Sequence, residues 1–150
     1  MITIKRIFLL YVILSFSACK QTDPFLEQLQ EFNNNFEVAN DQTFLIIPDI
    51  GCSGCIYKAM NFLEMNLETP NVYFIFTSIT SKKDIDYKLA SISKQTDKVF
   101  FDYKNLFMED GLIRLYPKIY HFSNGVKEFE EEVNPENIDI LDKFSNTYLY

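Results

Sequence analysis

The sequence predicts an α/β fold in which a central mixed sheet is covered by helices on both faces. Three observations support this class. Two short apolar runs, residues 43–47 and 71–78, are typical of strands buried on both sides. Each run is followed by a segment with the spacing of an amphipathic helix. Near the end of the chain, Asn124-Gly125 predicts a β-hairpin, because both residues tolerate positive φ.

The predicted elements can be placed in order from caps and apolar periodicity. Asp23 followed by Pro24 predicts a helix start, and the asparagines at 33–35 predict its end. The later elements are a strand at 43–47, a helix with Ile56, Ala59, Met60, Leu63 and Leu67 on one face, a strand at 71–78, a helix at 81–92 carrying Ile85, Leu89 and Ile92, a strand at 99–101, a helical turn at 105–110, hairpin strands at 118–122 and 126–130, and a final helix with Ile138, Leu141 and Phe144 on its apolar face. Helical crossovers between parallel strands would cover both faces of the sheet.

The first eighteen residues have the pattern of a secretory signal. Lys5 and Arg6 precede a ten-residue apolar run at 7–16, which is too short to span a bilayer. Ser17-Ala18-Cys19 follows and resembles the lipobox of bacterial lipoproteins, in which the cysteine is lipidated and becomes the first mature residue. An ordinary signal peptide with an incidental cysteine is the alternative. We therefore expect a signal peptide at 1–18, a tether at 19–23 and a single domain at 24–150.

The cysteine count agrees with an extracytoplasmic protein, and the charge argues against a nucleic-acid partner. The chain has 3 cysteines, and lipidation of Cys19 would leave Cys52 and Cys55 as a pair in an oxidising compartment. Removal of the signal takes away two basic and no acidic residues, so the formal charge changes from -7 to -9. Nucleic acid is therefore not expected as a partner.

The pair Cys52 and Cys55 carries the strongest functional signal. It lies between an apolar strand and the start of a helical pattern. Unpaired N–H groups and the helix dipole at such a position stabilise a thiolate, which is the attacking species in disulfide exchange. We expect Cys52 to be the more exposed and more acidic thiol, with a pKa below the free value of about 8.5, and Cys55 to be buried one turn along the helix.

With this dithiol, the chain resembles thioredoxin-fold proteins, and in particular the TlpA-like branch of bacterial envelope thiol–disulfide oxidoreductases. The resemblance covers residues 40–146 and includes a late segment that runs from Leu115 through Gly125. It implies that Pro117 is a cis-proline facing the dithiol, and that the backbone of Tyr116 binds substrate. The chain departs from the family pattern where Gly51 replaces an aromatic residue and Ile46 replaces a buried acid.

Two other readings of the cysteine pair remain open. A zinc site needs four ligands, and the mature chain adds only His121 and carboxylates to the pair, so no metal or other cofactor is expected. The second interpretation is that the cysteine pair forms a structural disulfide in a non-catalytic domain. His121 is expected to be a packed or edge residue, and Asp49 a solvated loop residue.

Two functions from different classes follow. The first is an envelope enzyme, lipid-anchored and facing the periplasm, that exchanges disulfides with a protein substrate and a redox partner through Cys52 and Cys55. The second is a non-catalytic accessory or binding lipoprotein whose disulfide is structural. In either case we expect a monomer attached to the membrane by lipid.

Overall fold

A computed structural model describes residues 23–34, 36, 38, 40–90, 97–109 and 111–150. The signal peptide, the lipidated Cys19 and most of the tether predicted from the sequence lie outside these residues, as does Ile92. Within the described residues, no helix is long and apolar enough to cross a membrane.

The described residues form an α/β arrangement in the predicted order. The elements are α1 (Pro24–Phe32), β1 (Gln42–Pro48), α2 (Ser53–Asn66), β2 (Val72–Thr77), α3 (Lys82–Lys88), β3 (Val99–Phe101), α4 (Leu106–Glu109), β4 (Lys118–Ser123), β5 (Val126–Glu132) and α5 (Ile140–Phe144), which continues as a π-helical turn, Ser145–Leu149.

The described strands form one mixed sheet with the order β3-β2-β1-β4-β5. The strands β1, β2 and β3 are parallel, whereas β4 is antiparallel to both β1 and β5. The hairpin between β4 and β5 turns at Asn124 and Gly125, with φ values of 51° and 76°. This turn confirms the hairpin expected from those two residues.

Side chains of alternating residues divide the core between the two faces of the sheet. One face, here called the dithiol face, packs β1 residues Leu45 and Ile47 under α2, α3 and α5. The other, the aromatic face, packs Phe44 and Ile46 under α1 and α4. Because both faces of the central strands are buried, the strands are apolar without interruption.

The start of the first helix agrees with the prediction, whereas the start of the last helix does not. Helix α1 begins as predicted, since the Asp23 carboxylate caps it by accepting the N–H of Phe25 at 2.9 Å. The prediction that Ile138 lies on the apolar face of the last helix was wrong. The helix begins only at Ile140, after a turn in which the side chain of Asn134 accepts the N–H groups of Glu136 and Asn137. Ile138 is therefore left 42% exposed.

Candidate functional site

The dithiol lies where β1 ends and α2 begins. Cys52 is the N-cap of α2, and its Sγ accepts the N–H of Cys55 at 3.4 Å. The two sulfurs are joined by a disulfide, with the Cα atoms 5.3 Å apart. A sulfur at this position receives a hydrogen bond and the positive end of the helix dipole, and both favour a thiolate after reduction.

The two cysteines differ in exposure as the sequence predicted. Cys52 is partly exposed and is followed by exposed Ser53 and Gly54, whereas Cys55 is fully buried. The side chain of Cys55 belongs to the core of the dithiol face, where Ala59 and Leu63 lie on the same side of α2. The asymmetry is confirmed, and the lowered pKa of Cys52 stays a prediction.

The loop before Cys52 packs directly against the backbone that precedes β4. The N–H of Cys52 donates to the carbonyl oxygen of Leu115 at 3.0 Å. A Cβ added to Gly51 would lie 2.1 Å from the same oxygen, and the φ of Gly51 is 154°. This contact explains why glycine stands where the resembled family has an aromatic residue: a carbonyl occupies the space of the side chain.

The predicted substrate-binding segment lies next to the dithiol, but its peptide geometry was predicted wrongly. The bond between Tyr116 and Pro117 is trans, since no described peptide bond is cis. The trans form is the lower in free energy before proline by about 0.5–1 kcal/mol. Here the chain bends at residues 114–116, and the carbonyl of Pro117 accepts the N–H of Val133 at 2.7 Å.

The backbone of Tyr116 has no hydrogen-bond partner among the described residues. Within the described residues, neither its N–H nor its carbonyl makes a hydrogen bond, although Leu115 and Pro117 on either side both do. The side chain of Tyr116 is partly buried against the same core as Cys52. Cys52, Cys55, Tyr116 and Pro117 therefore lie at the same end of the sheet.

Asp49 is not a solvated loop residue, contrary to expectation. Its side chain is only 3% exposed, and its Oδ1 lies 2.5 Å from the Nζ of Lys88 on α3. Its Oδ2 accepts the N–H and the hydroxyl of Thr80, at 3.3 and 3.1 Å. Burial alone would raise the pKa of Asp49, but the hydrogen bonds from Lys88 and Thr80 outweigh it and lower the pKa.

Lys88 and Thr80 are residues that the sequence analysis missed. Together with Asp49 and Gly51, Lys88 lines a cleft of about 590 Å³ between α2 and α3. Most of the other lining side chains are apolar and come from the sheet and the two helices, among them Ile47, Ile56, Met60, Phe76 and Ile85. No local signal could have identified Lys88, because it lies 39 residues from its partner.

His121 lies far from the dithiol and is a packed residue, as expected. It pairs with Thr43 at the start of β1, whereas the dithiol follows the end of that strand. Its Nδ1 lies 2.9 Å from the Thr43 hydroxyl, and its ring contacts those of Phe144 and Tyr148. Burial lowers the pKa of His121, and the carboxylates of Asp41 and Glu128 offset only part of this.

The described residues contain no group of three or more His, Cys, Asp or Glu side chains that could hold a metal.

Comparison with solved structures identifies the fold. A protein of Chlorobium tepidum assigned as a thiol:disulfide interchange protein, DsbE, superposes with a TM-score of 0.51 at 14% identity, over 75% of this chain and 82% of that chain. The chain has a thioredoxin-like fold. This confirms the predicted fold class, a mixed sheet with helices on both faces.

Two further solved structures are similar at lower scores. The exposed lipoprotein thioredoxin Etrx1 of Streptococcus pneumoniae has a TM-score of 0.49 at 16% identity, covering 72% of this chain and 85% of that chain. Thioredoxin O2 of Arabidopsis thaliana has a TM-score of 0.38 at 15% identity, with coverages of 83% and 86%. No protein-family model and no curated protein matches the chain.

Proposed function

We propose that this protein is a thiol–disulfide oxidoreductase of the bacterial cell envelope that exchanges disulfides with protein substrates. One observation carries the proposal. The sulfur of Cys52 caps the 14-residue helix α2 and accepts a backbone N–H, while Cys55 is buried directly behind it. This arrangement provides an accessible sulfur that is stabilised as a thiolate and a second, protected sulfur that can resolve an intermediate.

The proposed reaction begins with the reduced dithiol. The Cys52 thiolate attacks a substrate disulfide, so that a bond forms between Cys52 and one substrate sulfur while the substrate S–S bond breaks and the leaving thiolate takes up a proton. Cys55 then loses its proton and attacks the Sγ of Cys52, which forms the Cys52–Cys55 disulfide and releases the second substrate thiol. The substrate gains two electrons, and a dithiol redox partner returns two electrons to the pair. In reverse, the same steps oxidise a substrate dithiol.

The surroundings of Cys52 support a protein as the substrate. Two large apolar side chains beside it, Ile50 and Leu115, are 53% and 57% exposed. Exposed apolar groups that adjoin a reactive group are typical of surfaces that contact other proteins. The unused backbone of Tyr116 could pair with an extended substrate segment, a mode in which main-chain hydrogen bonds supply the affinity.

The location rests on the N-terminal sequence. The basic start, the short apolar run and Ser17-Ala18-Cys19 support a lipoprotein anchored through Cys19 and facing the periplasm. Mass spectrometry of the protein purified from membranes should find a lipid-modified Cys19 at the mature N-terminus. A Cys19→Ser variant should appear in the soluble fraction, and an unmodified N-terminus at another residue would exclude the anchor.

The central test compares the two single-cysteine variants of the dithiol. Cys55→Ser should form stable mixed disulfides with envelope proteins, because Cys52 attacks and no second sulfur resolves the product. Cys52→Ser should form none, and this variant also controls for any reaction of Cys19. The reduced wild type should reduce a protein disulfide such as that of insulin faster than dithiothreitol alone does.

A structural role for the disulfide gives a different set of results. In that case neither variant captures a partner, the reduced protein does not accelerate insulin reduction, and the rate of Cys52 alkylation follows a pKa at or above about 8.5. These results together would exclude the proposed enzyme and support the accessory lipoprotein.

The substrate-binding role of Tyr116 can be tested through its backbone. Tyr116→Ala keeps the N–H and should retain most of the exchange with a protein disulfide, whereas Tyr116→Pro lacks the N–H and should lose most of it. Alkylation of Cys52 by iodoacetamide should be similar in both variants, since this small reagent needs no strand pairing. Equal loss of exchange in both variants would contradict backbone pairing.

A further inference from the structure

An ion pair beside the dithiol has no part in the exchange steps described above. Asp49 lies in the loop that leads to Cys52, and its side chain is almost completely buried. The Nζ of Lys88, at the end of α3, contacts the Asp49 carboxylate at 2.5 Å, and the Lys88 side chain remains 48% exposed. Thr80 donates two further hydrogen bonds to the same carboxylate. The carboxylate is thus held in place by Thr80 and neutralised by a cation from helix α3.

Asp49 precedes the dithiol by only a few residues along the chain. Asp49 and Cys52 are separated by three peptide units, so their Cα atoms are at most about 11 Å apart. This distance is similar to the screening length of physiological salt, and a buried charge is screened less than an exposed one. Asp49 also lines the cleft between α2 and α3, together with Gly51 and Ser53 on either side of Cys52.

Among the described residues, no other charged group near the site neutralises the Asp49 carboxylate. From α2, exposed Glu64 faces the same cleft, and Lys58 is bound to Asp142 at 2.7 Å. From the loop before β4, Arg114 is exposed and makes no ion pair within the described residues. An unneutralised carboxylate at Asp49 would therefore repel a thiolate at Cys52, since like charges close together disfavour the ionised form.

We propose that Lys88 is a positioning residue for disulfide exchange: its ammonium group neutralises the buried Asp49 carboxylate and so allows Cys52 to react as a thiolate. The proposal deepens the proposed function and rests on it for its biological purpose. The ionisation of Cys52 can nevertheless be measured without any protein substrate, so the two can fail separately.

The test is a double-mutant cycle on the reduced full-length protein. The rate of alkylation of Cys52 by iodoacetamide is followed against pH, and mass spectrometry of the Cys52 peptide separates it from the other cysteines. Lys88→Met should raise the pKa of Cys52, and Asp49→Asn should lower it, because each variant leaves one charge unbalanced. A unit charge at this distance corresponds to a shift of about 0.3 to 1 pKa unit. The double variant should return to within about 0.2 unit of the wild-type pKa.

A matched control separates this pair from the general charge of the helix. Lys83 lies on α3, is exposed and makes no ion pair within the described residues. Lys83→Met removes the same charge from the same helix and should leave the pKa of Cys52 unchanged within about 0.2 unit. A shift equal to that of Lys88→Met would overturn the proposal.

Two further results would also overturn it. If the pKa of Cys52 shifts as far in the double variant as in Lys88→Met alone, the cause is displacement of the loop and not the loss of charge. If Asp49→Asn leaves the pKa of Cys52 unchanged, the carboxylate does not act on the dithiol. If Lys88→Met does not fold, two milder variants still test the ion pair. Lys88→Arg keeps the charge and should keep the wild-type pKa of Cys52. Asp49→Asn is nearly isosteric and should still lower that pKa. If the cycle behaves as expected but Cys55→Ser captures no partner, only the proposed function fails.

Discussion

Both faces of the sheet are well packed, but only the dithiol face adjoins the candidate site. On the aromatic face, the Phe25 ring stacks on Tyr120 at a centroid distance of 4.0 Å and lies within 6 Å of Phe44, Phe107 and Phe122. All of these side chains are buried. On the dithiol face, the core ends at the fully buried Cys55, and the partly exposed Cys52 joins it by the disulfide.

The comparison indicates that the residues that only stabilise the fold and the residues that control the reactivity of Cys52 lie in different parts of the molecule. Among the described residues, the core of the aromatic face contains no residue of the candidate site. The candidate site is made by loops at one end of the dithiol face, where backbone contacts and an ion pair fix the position of Cys52. Substitutions on the aromatic face should therefore alter stability only, and those near the loops should alter the chemistry as well.

The largest expected effect is on the aromatic face. Phe25→Ala should lower the free energy of unfolding by about 3–5 kcal/mol, because it empties a fully buried site between α1 and the sheet. Chemical denaturation measures this loss. In the folded protein the rate of Cys52 alkylation should stay within about twofold of the wild type.

Phe62→Ala is the matched change on the dithiol face, since Phe62 is also fully buried and lies on α2, the helix that contains Cys55 and is capped by Cys52. Its loss of stability should be similar, about 3–5 kcal/mol. It should also change the rate of Cys52 alkylation. If both variants changed that rate equally, the two faces would not be separate in function.

The next effect concerns the loop contact of the candidate site. Gly51→Ala should lower the free energy of unfolding by about 1–3 kcal/mol, because its Cβ would overlap the Leu115 carbonyl, a backbone atom that cannot rotate away. It should also slow exchange with a protein disulfide, since the backbone beside Tyr116 must move. Gly54→Ala is the control for stability, because nothing lies within 4 Å of its added Cβ. Similar destabilisation by both variants would contradict the importance of the Leu115 contact.

Reduction of the disulfide should have a smaller effect on stability. The bridge closes a loop with a sequence separation of only 3, for which loop-closure entropy gives about 2 kcal/mol. We expect the reduced protein to stay folded, with a free energy of unfolding lower by about 2 kcal/mol or less in parallel denaturant titrations. Unfolding on reduction would instead indicate a structural disulfide.

The smallest expected effect lies at the far end of the dithiol face and depends on pH. Because burial lowers the pKa of His121 below 6.5, the unfolded chain binds a proton at a higher pH than the folded one. The contribution of neutral His121 to stability is therefore complete above pH 6.5 and is lost as the pH falls toward the lower pKa of the folded state. Denaturant titrations between pH 7.5 and 5.5 should show this decline in the wild type and a weaker decline in His121→Asn. An identical decline in both would exclude His121 as its source.

The sequence by itself determined the elements and the character of the dithiol. Apolar runs fixed β1 and β2, Asp23-Pro24 fixed the start of α1, and the three-residue spacing of the cysteines fixed which sulfur is buried. These features depend on contacts within one helical turn or along one strand. They therefore appear in the sequence as a regular spacing of apolar, capping or cysteine residues.

Only the tertiary structure decided how the loops around Cys52 fit together. The contact of Gly51 with Leu115 and the pairing of Asp49 with Lys88 each depend on how separate segments meet. The exposure of Ile138 likewise followed from where α5 begins. Such contacts join residues far apart along the chain, and their geometry is set by packing of whole elements. A local pattern of residues therefore could not have contained them.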